Sequence, residues 1–241
     1  MNRILFEREE IVGGVVTFAD VRAEHVLKVL HGEVGQVLRT GEVDGPVGTG
    51  EIVAIAGGAV SVRVTHGQAS LRPWANVVLA PPRPRVMKRL LPQLAALGVG
   101  KIVLVGARKV EKDFWGATLL KEENYRPLLV DGLMQAGTSA LPVLAVRRNL
   151  RKFVSGELDG MLPSPHRILA HPYGAATRCA ETGGGEITLA IGPEGGWTDE
   201  EVALFEAHGF SRYSLGPRIL RTDTATVALL ARLMPQAEGR G

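Results

Sequence analysis

The sequence predicts an α/β chain in two parts, a small β-rich module over residues 1–69 and a mostly parallel sheet with helices over residues 74–237. Three observations carry that expectation. Short β-branched runs separated by turn residues fill the first part. A stretch of linker composition, Gly67-Gln68-Ala69-Ser70-Leu71-Arg72-Pro73, then interrupts the pattern. Beyond it, apolar strands alternate with helical segments, the order that builds a parallel sheet from crossover connections.

In the first part, Gly14-Val15-Val16-Thr17-Phe18 is short and β-branched, and reads as a strand. Asp20 is placed to cap a helix through Val21, Val26, Val29 and Leu30, with Glu24 in its first turn. Strands follow at residues 36–40, 50–56 and 59–65. The last two are joined by Gly57-Gly58, a two-residue hairpin signal, because a primed turn needs positive φ. Val60, Val62 and Val64 alternate with Ser61 and Arg63, which marks a half-buried strand. A small β-barrel or sandwich is the expected outcome.

In the second part, strands are expected at residues 76–80, 101–105, 142–146, 167–170, 187–191 and 212–215. Val86, Leu90, Leu94 and Leu97 form the apolar face of a helix that Gly98 stops and that Pro92 should kink. Residues 121–136 are helical but carry Pro127, so two pieces are an open alternative to one.

Composition excludes several classes. With 45% apolar and 22% charged residues in 241, the chain is ordinary for a globular protein of one large or two small domains. No apolar run approaches the ~18 residues of a membrane helix. Met1-Asn2-Arg3-Ile4-Leu5-Phe6-Glu7 turns acidic too early for a secretory signal. A single cysteine, Cys179, allows neither an intrachain disulfide nor a thiolate metal cluster, so a cytoplasmic protein is expected. No metal is expected either, since His25, His31, His66, His166, His171 and His208 show no ligand spacing. The absence of a G-x-S-x-G elbow, and of a histidine partner for Cys179, argues against a hydrolase.

The net charge of +3 is modest, but the cations cluster. One group is Arg83, Arg85, Lys88 and Arg89; a second is Arg108, Lys109 and Lys112; a third is Arg147, Arg148, Arg151 and Lys152. Guanidinium forks suit phosphate, so an anionic partner gains weight over solvated helix ends.

Two segments carry the chemistry. Ile187-Thr-Leu-Ala-Ile-Gly192-Pro193-Glu194-Gly195-Gly196-Trp197-Thr198-Asp199-Glu200-Glu201 is an apolar strand, a glycine-rich bend and a helix start in succession. Thr198 and Glu201 make a capping box, and Val202, Phe205 and Gly209 continue and close the helix. The glycines let a ligand approach backbone amides and carbonyls. They match neither the dinucleotide fingerprint nor a P-loop, and a turn that merely needs positive φ is the plainer alternative. The second segment is Tyr213-Ser-Leu215-Gly216-Pro217-Arg218-Ile219-Leu220-Arg221-Thr222-Asp223-Thr224-Ala225-Thr226. Leu215, Ile219 and Leu220 offer an apolar wall beside two arginines, and Thr222 is placed to cap the closing helix. Salt bridges from the arginines to Glu194 or Asp223 are the structural alternative to a ligand.

Together these blocks resemble the signature of the α/β-knot (SPOUT) RNA methyltransferases, most closely the bacterial small-subunit ribosomal RNA uracil-N3 methyltransferase family. The resemblance extends to Arg22, His25, Val26, Val29 and Leu30, to Ala96-Leu97-Gly98-Val99, and to Gln135 before Leu141-Pro142. Ala96 and Thr138 stand where the family usually has an acid and an arginine, and Asp223 where it often has glutamate.

The resemblance implies a trefoil-knotted C-terminal domain, a PUA-like N-terminal barrel, a homodimer with its sites at the interface, and ribosomal RNA as partner. It implies S-adenosylmethionine held by Ile191, Gly192, Gly195, Gly196, Leu215, Gly216, Ile219, Leu220 and Thr224, with Leu169, His171 and Pro172 as a further wall. Arg221, supported by Arg218, would act at the target base, and Glu194 or Asp223 would take its proton. Arg22, Arg83, Arg85, Lys88 and Arg89 would bind RNA. Another base or ribose as target, or a non-catalytic RNA-binding role, are the alternatives left by sequence.

Overall fold

Strand pairing divides the chain into two six-stranded sheets. A computed structural model describes residues 2–173 and 185–235, which fall into two compact units. The first unit takes the chain up to Arg72 together with Pro127–Leu141, and the second takes the rest.

The first unit holds β1 (Ile4–Phe6), β2 (Ile11–Val12), β3 (Val15–Phe18), α1 (Val21–Glu24), β4 (Val37–Glu42), β5 (Val47–Ala56) and β6 (Ala59–Gln68). Its sheet order is β1-β4-β5-β6-β3-β2. Only β1 is parallel to its neighbour, with Ile4 opposite Thr40; the other pairs are antiparallel. Inward residues such as Phe6, Val16, Phe18, Ile52, Val60 and Val62 form one apolar core with Val26. The β5–β6 hairpin turns through Gly57 at φ +57° and Gly58 at φ +84°, as a primed turn requires.

Asp20 caps α1, its carboxylate accepting from the Arg22 amide. The helix then widens into a π turn over His25–Val29, closed by Leu30 N–H donating to the His25 carbonyl at 3.0 Å. The uniform α-helix expected there is therefore two kinds of turn.

Arg22 is engaged within the first unit. Its side chain, 13% exposed, donates to Glu10, to Asp20 and to the Leu5 carbonyl. Burial alone would lower its pKa, but the hydrogen bonds to the two carboxylates prevail and raise it. The Arg22 hydrogen bond in turn holds the Glu10 carboxyl below its usual range, and Asp20 is held low despite its burial. A guanidinium so committed stitches the unit together.

The second unit contains β7 (Ala75–Leu79), α2 (Pro84–Ala96), β8 (Val99–Val105), the start of α3 (Glu122–Ala136), β9 (Val143–Arg147), α4 (Leu150–Gly156), α5 (Leu158–Met161), β10 (His166–Ala170), β11 (Ile187–Ile191), α6 (Asp199–Ala207), β12 (Ser211–Tyr213) and α7 (Thr222–Leu233). The sheet is parallel throughout in the order β12-β10-β11-β7-β8-β9. Each of the six strands expected from sequence is present. The central pair, β7 and β11, is buried at every position, as expected of strands covered on both faces.

On one face Val78, Val103 and Ala190 pack with Phe153 of α4 and Phe205 of α6. Strand alternation turns Val77 and Leu79 the opposite way. On that side α2 lies against β8 and α7, and α7 against β11. α2 runs unbroken through Pro92, and α3 is one helix through Pro127 rather than two pieces.

From Pro127 to Leu141 the chain groups with the first unit. There the amides of Asn2 and Arg3 donate to the Met134 carbonyl at 3.0 and 3.1 Å. The Ser139 hydroxyl donates to the Gly45 carbonyl at 2.6 Å, and the Leu141 amide to Asp44 at 2.7 Å.

Candidate active site

The C-terminal ends of β10, β11 and β12 lie side by side in the second unit, the edge where open α/β sheets take ligands. β11 passes directly into the glycine bend. The Gly196 amide donates to the Pro193 carbonyl at 2.8 Å, and Gly196 takes φ +70°, so the turn is tight and left-handed. Trp197 folds beneath it and stacks edge-on to Phe205, centroids 5.0 Å apart. A β-carbon on Gly192 would lie 3.2 Å from the indole ring, so glycine there sets how closely bend and ring approach. The capping box forms as read: Glu201 N–H donates to Thr198 Oγ1, and Thr198 N–H to Glu201 Oε2.

β12 leads into the second bend. The His171 amide donates to the Tyr213 carbonyl at 3.0 Å, and Ser214 Oγ accepts from the Gly216 amide at 3.1 Å. That hydroxyl lies 3.2 Å from the carbonyls of both Pro172 and Gly216, a donor shared between the β10 end and the bend itself. Thr222, at the start of α7, donates its hydroxyl to the Gly192 carbonyl at 3.3 Å, joining one bend to the other. It does not cap α7, whose N-cap, Arg221, makes no side-chain cap bond.

The two bends face one cleft of about 500 Å³, within the range of small-molecule sites. Among the candidate cofactor residues, His171, Pro172, Ile191, Gly192, Gly195, Gly196, Leu215, Gly216, Ile219 and Leu220 all line it. Glu194 and Arg218 line it as well. The walls are apolar at Ile191, Leu215, Leu220 and Leu229, while the glycines offer uncovered backbone. Trp197 Nε1, in the same wall, is buried with no hydrogen-bond partner among the described residues. Such a cleft accepts a ligand with a flat apolar part and a polar, hydrogen-bonding part.

Four expected residues lie outside the lining. Leu169 points into the core with Phe205 and Phe210, because successive strand residues face opposite sides and its neighbour Ala170 has the cleft. Thr224 is exposed on the far side of α7, whose cleft face is Thr222, Ala225 and Leu229 at helical spacing. Arg221 is exposed at the N-cap of α7. Asp223 pairs with Arg89 at 3.5 Å.

Sequence reading missed Lys109, which enters the cleft and donates to the Gly195 carbonyl at 2.8 Å. Its signal was present as a basic cluster just after β8, but nothing local tied it to a bend 86 positions away. Trp197 was likewise read only as part of the segment.

Arg83, Arg85, Lys88 and Arg89 are all exposed around the first half of α2. Arg83 pairs with Glu111 at 3.2 Å, a solvated contact that RNA could displace at little cost. Among the described residues no group of histidine, cysteine and carboxylate side chains could hold a metal, and no helix is long and apolar enough to cross a membrane. Cys179 lies outside the described residues.

With this geometry in view, similarity to known proteins becomes informative. The family model for the RNA methyltransferase domain matches residues 70–234. The ribosomal RNA small subunit methyltransferase E of Treponema pallidum is 32% identical, covering 98% of this chain and 92% of its own. A Legionella pneumophila methyltransferase solved with bound SAM superposes with a TM-score of 0.73 at 26% identity, over 96% of each chain. The fold also matches the small subunit methyltransferase E of Neisseria gonorrhoeae, solved with S-adenosyl methionine, with a TM-score of 0.76 at 21% identity over 97% of this chain and 96% of that one. The chain is thus an enzyme of the RNA methyltransferase domain family, among the ribosomal RNA small subunit methyltransferase E proteins.

Proposed function

We propose that the chain binds S-adenosylmethionine in the cleft between the 192–196 and 215–221 bends and methylates N3 of a specific uridine in small-subunit ribosomal RNA. The observation that carries this reading is that both bends line one cleft and are joined by the Thr222–Gly192 hydrogen bond. When bound, the cofactor supplies a methyl group on a cationic sulfur. The backbone at Gly192, Gly195 and Gly196 meets its polar groups, and Ile191, Leu215, Ile219 and Leu220 cover its apolar face.

The protein's remaining tasks are positioning and charge. Orienting two reactants supplies several kcal/mol of a transfer barrier. N3 of uracil carries a weakly acidic proton, which Glu194 or Asp223 accepts, and Arg221 with Arg218 stabilises the charge that develops on the base oxygens. Arg83, Arg85, Lys88 and Arg89 hold RNA phosphate.

In the same reading, residues 74–237 form a trefoil-knotted catalytic domain and residues 1–69 a PUA-like barrel that binds RNA. The enzyme works in the cytoplasm as a homodimer whose sites sit at the subunit interface. The exposed apolar side chains of Leu215, Ile219 and Leu220 support that assembly.

Transfer of labelled methyl to naked RNA, free small subunits and whole ribosomes, followed by nucleoside mapping, tests the reading. Label in N3-methyluridine of the small-subunit RNA is expected. Label in another base or a ribose would replace the target, and no transfer to any of the three would sink the reading.

A further inference from the structure

A second cleft, of about 310 Å³, opens in the same unit at the C-terminal ends of β8 and β9. Arg108 follows β8, Arg148 follows β9, and Arg151 stands in the first turn of α4; all three line it. Backbone packing fixes their grouping. A β-carbon on Gly106 would lie 2.0 Å from the Arg148 carbonyl oxygen, so only glycine lets the two strand ends meet. The Arg108 amide donates to Glu201 at 2.8 Å. Arg148 lies over the Trp115 ring, 5.8 Å from its centroid, and donates to the Trp115 carbonyl at 3.1 Å.

Three arginines face two carboxylates in this cleft. Glu201 already accepts from the amides of Arg108 and Thr198, which leaves Glu200 as the other carboxylate of the wall. Among the described residues the guanidiniums of Arg108 and Arg151 have no ionic or hydrogen-bonded partner. Free arginine forks suit a phosphate.

The cleft also adjoins the cofactor cleft along two stretches of chain. Lys109, next to Arg108, reaches Gly195; Thr198, in one wall, follows Trp197 in the other.

We propose that this arginine cleft seats a backbone phosphate of the RNA strand flanking the nucleotide presented to the cofactor cleft. The inference rests on the RNA methyltransferase reading above and adds to it a site for substrate outside the reaction centre.

The test compares the wild-type chain with an Arg108→Gln/Arg151→Gln double variant. Each is titrated with a small-subunit ribosomal RNA fragment and with assembled small subunits over a range of salt, and with S-adenosylmethionine by calorimetry. Each phosphate contact on a single strand contributes about 0.7 to the slope of log affinity against log salt. The double variant is expected to bind RNA at least tenfold more weakly, with a slope shallower by about 0.7, and to keep wild-type cofactor affinity. Its KM for RNA should rise with kcat retained, and the Arg108→Lys/Arg151→Lys pair should recover most of the slope.

Unchanged RNA affinity and slope would overturn the inference. So would weakened binding to assembled subunits with naked RNA unaffected, which would assign the cleft to a protein neighbour. A wild-type chain that fails to bind S-adenosylmethionine would instead overturn the underlying reading, and the calorimetric arm separates the two failures.

Discussion

Arginine serves opposite ends in the two units. Arg22 of the first is sequestered, with Glu10, Asp20 and a main-chain carbonyl consuming its donors. Arg218 and Arg221 of the second stand exposed beside an apolar cleft, and Arg108 and Arg151 stand in another without partners among the described residues. The same side chain is consumed where carboxylates close around it and left open to a ligand where they do not. The difference lies in the neighbours, and neighbours are what a linear sequence hides.

The contrast breaks if substitution in the second unit unfolds the protein, or if substitution in the first silences methylation without loss of stability. The largest effect is expected at Arg221. Arg221→Ala should lower kcat by about 10²–10³-fold, as for loss of a donor to developing charge, with cofactor affinity and melting temperature close to wild type. Loss of cofactor binding with RNA binding intact would reverse the assigned roles.

Gly192→Val comes next. The added carbons meet the Trp197 ring, and overpacking of about 1–3 kcal/mol should weaken S-adenosylmethionine binding about tenfold or more by calorimetry.

In the first unit, Arg22→Ala should cost about 1–3 kcal/mol in denaturant unfolding while cofactor affinity is unchanged, since it strips hydrogen bonds from two partly exposed carboxylates. Its pH dependence sharpens the point. Glu10 and Asp20 titrate below their usual values when folded, so their contribution is complete above about pH 4.5 and is lost as pH falls through the depressed values. The stability gap between wild type and Arg22→Ala should therefore narrow in acid. A gap constant from pH 7 to pH 3 would deny the network its electrostatic origin. Smallest is Thr198→Ala, expected to cost about 1 kcal/mol through the lost cap of α6.

Which features were legible in sequence follows from how local their causes are. The hairpin at Gly57-Gly58, the capping box at Thr198 and Glu201, and the six parallel strands each depend on residues within a few positions, and each is present. β1 escaped notice because Ile4-Leu5-Phe6 is buried throughout and shows no alternation. The grouping of Pro127–Leu141 with the first unit depends on partners far along the chain.

At the cleft, both bends were legible because a strand, a glycine turn and a helix follow one another in each short stretch. Lys109 was not, since its tie to Gly195 is made only by the fold. Strand parity and helix phase explain why Leu169 and Thr224 miss the cleft that their neighbours line.

The account depends most on both bends closing round one small molecule, and hydrogen exchange at backbone amides reads that directly. Addition of S-adenosylmethionine should slow exchange at residues 192–197 and at residues 214–221 together. Protection confined to one bend, or absent from both at saturating cofactor, would contradict it.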